Sequence, residues 1–277
     1  MKSRTIPAVL TIAGSDSGGG AGIQTDLRTF HALKVYGCSA ITAITSQNPN
    51  EVRRVDELPA EAVKSQLETI LDAIPIRFAK TGMLANRKVI ECTAEIAANR
   101  KLSLIVDPVM VSTSGTRLLQ TSAVSAMKTL LLPQAEWLTP NIPEAELLCG
   151  RKVDSLQALA DAAKMLHEQY HCNILLKSGH LPHAENAPDI VCCGGKLYTL
   201  TSPRVAIAEN TAHGTGCTLS AALTANLAKG KNWQQAVMES KAFVLGSLAE
   251  NVALSNHLRQ MYPPERSYLH QISLQPI

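Results

Sequence analysis

The stretch that decides the fold is "VLTIAGSDSGGGAGIQTDLRTF", residues 9–30. A short apolar run breaks into a glycine-dense loop, with Gly14, Gly18, Gly19, Gly20 and Gly22, and then resumes with a helical pattern. That order reads as a buried first strand, a turn where backbone approaches a ligand closely, and a helix. The dinucleotide fingerprint is not met, because after Gly18 and Gly20 the third glycine falls on Ile23. The acid expected about 20 positions further on is also missing from "YGCSAITAIT". Nor is this a Walker loop, since Gly20 stands where its lysine is required. Asp16 and Asp26 flank the loop, which favours a neutral or cationic ligand here over a phosphate.

Outward from this stretch, short apolar runs alternate with longer amphipathic ones. Strands are predicted at 8–13, 39–45, 76–79, 102–106, 137–138 and 173–176, with helical patterns such as 60–74, 87–99 and 156–170 between them. Such alternation predicts an α/β fold, a mostly parallel sheet covered by helices on both faces. No internal repeat or linker divides the 277 residues, so one domain over 1–277 is expected, with 255–277 as a loosely packed tail.

Composition narrows the function. The chain is 45% hydrophobic and 18% charged, with a formal net charge of +3 and no basic block. Nucleic acid is therefore not expected as a partner. Seven cysteines, an odd number without a CxxC, argue for reduced cytosolic thiols rather than disulfides or a zinc site. Lys2 and Arg4 precede an apolar run that is at the short limit for a secretory leader and feeds directly into the glycine loop. No run reaches the roughly 18 apolar residues of a membrane span.

In open α/β sheets ligands bind beyond the carboxyl ends of the strands. The strand ends here carry Asp107 in "LIVDPVM", Asn141 and Glu144 in "EWLTPNIPEAE", and Lys177 in "ILLKSGH". Each alone reads most simply as a helix cap or turn former. Together an aspartate, a glutamate and a lysine suit a metal-bound phosphate chain.

A second glycine cluster, "ENTAHGTGCTLSAALTANLAKG", is more telling. Leu219, Leu223 and Leu227 recur every four residues and Gly230 closes the pattern as a helix C′ residue. "HGTG" then lies at a helix N-terminus, where exposed N–H groups and the dipole favour an anion. Cys217, in the first turn, is expected to have a lowered thiol pKa. His213 is open between contacting ligand, capping the loop and packing.

The segments "TIAGSDSGGGAGIQTDLRTF", "ITSQN", "KTGML", "DPVM", "LTPNIPEAELL", "LLKSGHL", "PRV" and "HGTGCTLSAAL" resemble, in order and over residues 11–223, the hydroxymethylpyrimidine/phosphomethylpyrimidine kinases of thiamine biosynthesis, in the ribokinase-like superfamily. The resemblance implies a ribokinase-like three-layer α/β/α fold in a cytoplasmic enzyme. It implies ATP- and Mg²⁺-dependent phosphorylation of 4-amino-5-hydroxymethyl-2-methylpyrimidine and then of its monophosphate. It also implies roles. Gln47, Gly14, Asp26, Met83 and His213 border the pyrimidine, and the amides of Gly214, Thr215 and Gly216 hold the transferring phosphoryl group. Lys177 approaches the nucleotide phosphates, with Asp107, Asn141, Asn210 and Thr211 on the nucleotide. Asp107 and Glu144 organise Mg²⁺, and Cys217 accepts the hydroxyl proton. A homodimer is suggested by analogy alone.

Three positions depart from the family pattern: Ser17-Gly18, Ser178, and Ala212, which leaves the alignment of Asn210 and Thr211 open by one position. Two rival readings stay open, a pyridoxal or pyridoxine kinase and a non-catalytic pyrimidine sensor.

Overall fold

The computed structural model describes residues 5–110, 121–179, 186–207 and 209–277, with the side chains of 121, 209 and 210 outside that description. In chain order the first elements are β1 (Ala8–Asp16), α1 (Gly22–Ala32), β2 (Tyr36–Asn48), β3 (Glu51–Glu57), α2 (Ala60–Ala73), β4 (Phe78–Thr81), α3 (Arg87–Arg100) and β5 (Ser103–Val106). Next come α4 (Thr121–Ala126), β6 (Ala135–Leu138), α5 (Ile142–Cys149), α6 (Leu156–Tyr170), β7 (Asn173–Leu176), β8 (Asn186–Cys193) and β9 (Lys196–Pro203). The chain ends with α7 (Thr215–Ala228), α8 (Trp233–Ala249), β10 (Val252–Ser255), β11 (Leu258–Gln260) and β12 (Ser273–Pro276).

Ten strands form one sheet in the order β12-β9-β8-β7-β6-β5-β4-β1-β2-β3. Its centre, from β2 through β1 and β4 to β7, is parallel, and the pairs at either edge are antiparallel. The central strands are short and apolar because both faces are covered. Alternation along β5 shows the division: Leu104 and Val106 join one core with α2, α3 and α6, while Ile105 joins another with α7 and α8. A three-layer α/β/α architecture results. β1 and β4 are neighbours although the chain visits β2 and β3 between them, so the switch point of the sheet lies between β1 and β4. The glycine loop after β1 opens there, at the position where such folds bind ligands.

The segment expected as a loosely packed tail carries secondary structure. Residues 252–260 form the hairpin β10–β11, and β12 pairs antiparallel with β9 at the edge of the main sheet. Met261 and Ile272 are buried. The segment is short of periodicity because it runs as brief edge strands joined by turns, which leave no 3.6-residue pattern.

Candidate active site

The carboxyl rim gathers residues from several parallel strands. Asp107 follows β5, Asn141 lies three residues beyond β6, and Lys177 follows β7. Nζ of Lys177 lies 2.9 Å from Oδ1 of Asp107. Burial pushes the lysine pKa down, but the carboxylates of Asp107 and Glu144 outweigh it, and the ammonium pKa stands above its ordinary value. A Cβ on Gly216 would lie 3.2 Å from Nζ of Lys177 and 3.7 Å from Oδ2 of Asp107. The start of α7 and the Lys177–Asp107 pair therefore face one another.

Asn141 and Glu144 form a capping box on α5: Glu144 N–H donates to Oδ1 of Asn141 at 2.9 Å, and Asn141 N–H donates to Oε2 of Glu144 at 2.8 Å. The simple helix-cap reading of these two residues is thus the one the local structure obeys. Glu144 is also buried, and burial, opposed by Lys177 and reinforced by Asp107, pushes its carboxyl pKa up to about 7. A cation would relieve that crowding of two carboxylates around one ammonium. Among the described residues no group of three or more His, Cys, Asp or Glu gathers as a metal cage. Mg²⁺ does not need one, because it binds through one or two carboxylates plus substrate phosphates and water. The residues present fit such an ion.

Gly214, at φ +87°, is the N-cap of α7 and, having no side chain, leaves that helix end without a side-chain cap. A Cβ on Gly214 would sit 1.9 Å from the carbonyl oxygen of Gly20, so only glycine lets the two glycine loops pack against each other. Gly214, Thr215, Gly216 and Cys217 occupy the cap and first turn, as the leucine pattern implied, and Gly230 follows the last turn at φ +77°.

The Cys217 thiol departs from its expectation. Burial pushes its pKa up to about 11; Lys80 and a hydrogen bond from the Gly22 N–H oppose the rise, while Asp26 and Asp107 add to it. The helix terminus does not overcome desolvation plus two acids, and the thiol is neutral at pH 7.

Asp26, expected to border the pyrimidine, is fully buried beneath the loop and paired within the protein: Nζ of Lys80 lies 2.9 and 2.8 Å from its two oxygens, and the Thr11 hydroxyl donates to it at 2.6 Å. Lys80 alternates with the core residue Ala79 along β4 and so faces α1 and α7. Its burial would lower its pKa, but Asp26, Cys217 and Asp107 hold it above the ordinary lysine value. Asp16 is likewise turned inward, accepting from the Gly18 and Ala21 N–H groups at 2.8 Å each. Burial opposes its ionisation, yet bonds from His213, Ala21 and Gly18 hold its carboxyl below the usual range. The acids flanking the loop are therefore spent on the protein, and they do not decide the charge of its ligand.

At the other end of the site Gln47, near the end of β2, lies 3.0 Å from His213 through the two Nε2 atoms. The same imidazole nitrogen is 3.5 Å from Oδ2 of Asp16. Having one hydrogen or one lone pair, it serves one of these partners at a time. Gly14 and Met83 meet across the switch point, the methionine sulfur being 3.5 Å from where a Gly14 Cβ would stand. Thr211 is buried and its hydroxyl finds no hydrogen-bond partner among the described residues; the Asn210 side chain lies outside them.

Sequence reasoning missed Lys80, Ser220 and Thr139. Ser220 donates to Oδ2 of Asp107 at 3.2 Å and Thr139 to Oδ1 at 3.4 Å. Ser220 stands three residues after Cys217, one turn along the same helix face, a signal that the spacing carries. Lys80 bears the signal of a lysine inside an apolar strand.

Comparison with known proteins places the chain in a family. The family model described as phosphomethylpyrimidine kinase matches residues 16–261. The hydroxymethylpyrimidine/phosphomethylpyrimidine kinase of Haemophilus influenzae is 44% identical over 248 residues, 88% of this chain and 91% of that one. Among solved structures, the phosphomethylpyrimidine kinase of Clostridium difficile has a TM-score of 0.76 at 38% identity, covering 87% of this chain and 98% of that one. The pyridoxal kinase of Staphylococcus aureus, in complex with AMP-PCP and pyridoxal, has a TM-score of 0.88 at 31% identity, covering 99% and 100%. With the family model spanning most of its length, and with a switch-point loop, a Lys177–Asp107 pair and a cysteine-bearing helix start on one rim, this chain belongs to the phosphomethylpyrimidine kinase family.

Proposed function

We propose that the protein is an ATP-dependent kinase that phosphorylates 4-amino-5-hydroxymethyl-2-methylpyrimidine, and then its monophosphate, for thiamine diphosphate biosynthesis. The observation that carries this reading is the packing of Gly214 on Gly20, which sets the uncapped start of α7 beside the Gln47–His213 pair. An amide on one side and a helix start open to an anion on the other suit a small ring bearing a primary alcohol.

Gln47 offers a carbonyl and an amide to a ring nitrogen and an exocyclic amine, and Met83 lays a polarizable surface against the ring. The N–H groups of Thr215, Gly216 and Cys217 hold the transferring phosphoryl group, and Lys177 neutralises the nucleotide phosphates. Asn141 and Thr211 stand by the same phosphates. Asp107 and Glu144 would hold Mg²⁺, which when bound supplies charge neutralisation on the phosphate oxygens. Cys217 takes the hydroxyl proton through its thiolate form and becomes the neutral thiol, late in the step, since bond formation to the nucleophile lags in a loose transition state. Lys80, beneath it, favours the thiolate that the transfer consumes, against the burial that disfavours it. The reading places the enzyme in the cytoplasm, in keeping with seven free cysteines. A second copy of the chain is proposed as a partner, by family analogy alone.

Pyridoxal phosphorylation is a second reading, favoured by the fuller overlap with the Staphylococcus aureus pyridoxal kinase. Chromatographic separation of mono- and diphosphate over time, with MgATP and either ring, tests both. The expected outcome is sequential appearance of both pyrimidine phosphates and a higher kcat/KM for the pyrimidine. A higher value for the pyridoxal ring contradicts the pyrimidine reading, and absence of turnover on either ring favours a sensor.

A further inference from the structure

The loop after β1 is held between two distant parts of the chain. On the inner side lies His213: a Cβ on Gly20 would stand 2.7 Å from its Cδ2 and 3.5 Å from its Nε2. On the outer side lies the C-terminal hairpin, because the same Cβ position is 3.0 Å from Oε1 of Gln260, the last residue of β11. Gln260 and the His213 ring thus both abut Gly20, in the space that a side chain there would fill. Arg28 fastens the loop from the same outer side, both its terminal nitrogens lying 3.2 Å from the Gly19 carbonyl and its guanidinium 6.0 Å from the ring centre of Tyr262. A cavity of about 10 Å³ between Gly20, Arg28, Met261 and Tyr262 holds at most one water. Contact here is protein on protein.

Gln260 is buried, and among the described residues its Nε2 has no hydrogen-bond partner. An unmatched buried donor is destabilising, so stability does not account for a glutamine at this place. Its position relative to His213 does, since that imidazole in turn touches Gln47 at 3.0 Å. We propose that Gln260 is a positioning residue for substrate recognition: acting across Gly20, it wedges the His213 ring against Gln47 and so fixes the amide that reads the pyrimidine. This rests on the reading that Gln47 contacts the ring.

The test is steady-state kinetics of the full chain with MgATP and the aminopyrimidine alcohol, for Gln260→Ala, Gln260→Met, His213→Ala and the double variant Gln260→Ala/His213→Ala. Gln260→Ala is expected to raise KM for the pyrimidine about tenfold, leaving kcat and KM for ATP within about twofold, as loss of placement rather than of chemistry requires. Gln260→Met keeps the length of the wedge and should recover most of that loss. In the His213→Ala background Gln260→Ala should add less than about twofold, because residues acting through one another are not additive. A pyrimidine KM unchanged in Gln260→Ala, full additivity in the double variant, or equal rises in both KM values overturns the positioning role. If Gln260→Ala does not fold, a pyrimidine KM for Gln260→Met beyond about threefold of wild type overturns it as well. Wild-type protein without pyrimidine turnover would overturn the proposed function, and this role with it, before any variant is compared.

Discussion

Lys177 and Asp107 meet across an intervening strand, Nζ to Oδ1 at 2.9 Å, although β6 separates the strands that carry them. Their side chains are only 15% and 2% exposed, so the lysine is what keeps Asp107 and Glu144 tolerable in a dry site. Lys177→Met should lower kcat by about 100-fold or more, with pyrimidine KM changed by less than about threefold. It should also cost about 3 kcal/mol in denaturant unfolding, the penalty of an orphaned buried carboxylate. Adding Asp107→Asn should recover the stability but not the rate. Full activity in Lys177→Met would remove the pair from the mechanism.

The Cys217 thiol, with its pKa pushed up to about 11, should alkylate slowly at pH 7. Peptide mapping after iodoacetamide treatment should show the rate at Cys217 rising about tenfold per pH unit up to about pH 10. A plateau below pH 8 would mean that the helix terminus prevails over burial after all. In turnover, Cys217→Ala should lower kcat far more than it weakens pyrimidine binding, while Cys217→Asp retains part of the rate. Equal small effects from both would exclude the thiol from proton transfer.

Glu144 makes stability depend on pH in a stated direction. Its folded pKa, about 7 against the ordinary 4.5, means that the folded chain binds more protons than the unfolded chain between those values. Stability should therefore fall as pH rises through that window, by about 3 kcal/mol in all. Glu144→Gln should flatten this part of the curve, which urea midpoints at pH 4.5 and pH 7.5 would measure. Parallel curves for both proteins would place the group outside the titration.

β12 closes the antiparallel edge of the sheet against β9 and brings the buried Ile272 onto the α8 side of the core. Removing 272–277 should lower the melting temperature by several degrees, in line with a loss of about 2 kcal/mol for one buried isoleucine and a strand edge. An unchanged melting temperature would restore the loosely packed tail expected from the sequence.

Much of this is legible in the sequence alone. The alternation of apolar runs with helical stretches encodes the sheet and its layers, and "HGTGC" marks the helix start, because a four-residue leucine repeat and a closing glycine define both ends. Tertiary facts are not legible there. Whether Asp26 faces a pocket or a lysine depends on the alternation of β4 placing Lys80 under α1. Whether Cys217 is acidic or not depends on Asp26 and Asp107 converging on it from other elements. Asn141 and Glu144 are readable as a capping box from their spacing, yet the chemistry of the rim argues for ligand work. The same residues do the capping, and the Glu144 carboxylate still lies within reach of the charges on Lys177 and Asp107.

The most direct test is a crystal structure with the aminopyrimidine alcohol and a non-hydrolysable ATP analogue bound together. The expected result has the ring against Gln47 and Met83, the terminal phosphoryl group on the N–H groups of Thr215, Gly216 and Cys217, and the hydroxyl oxygen in line about 3–3.5 Å from phosphorus. A ring bound away from Gln47, or an alcohol facing away from the start of α7, would contradict it.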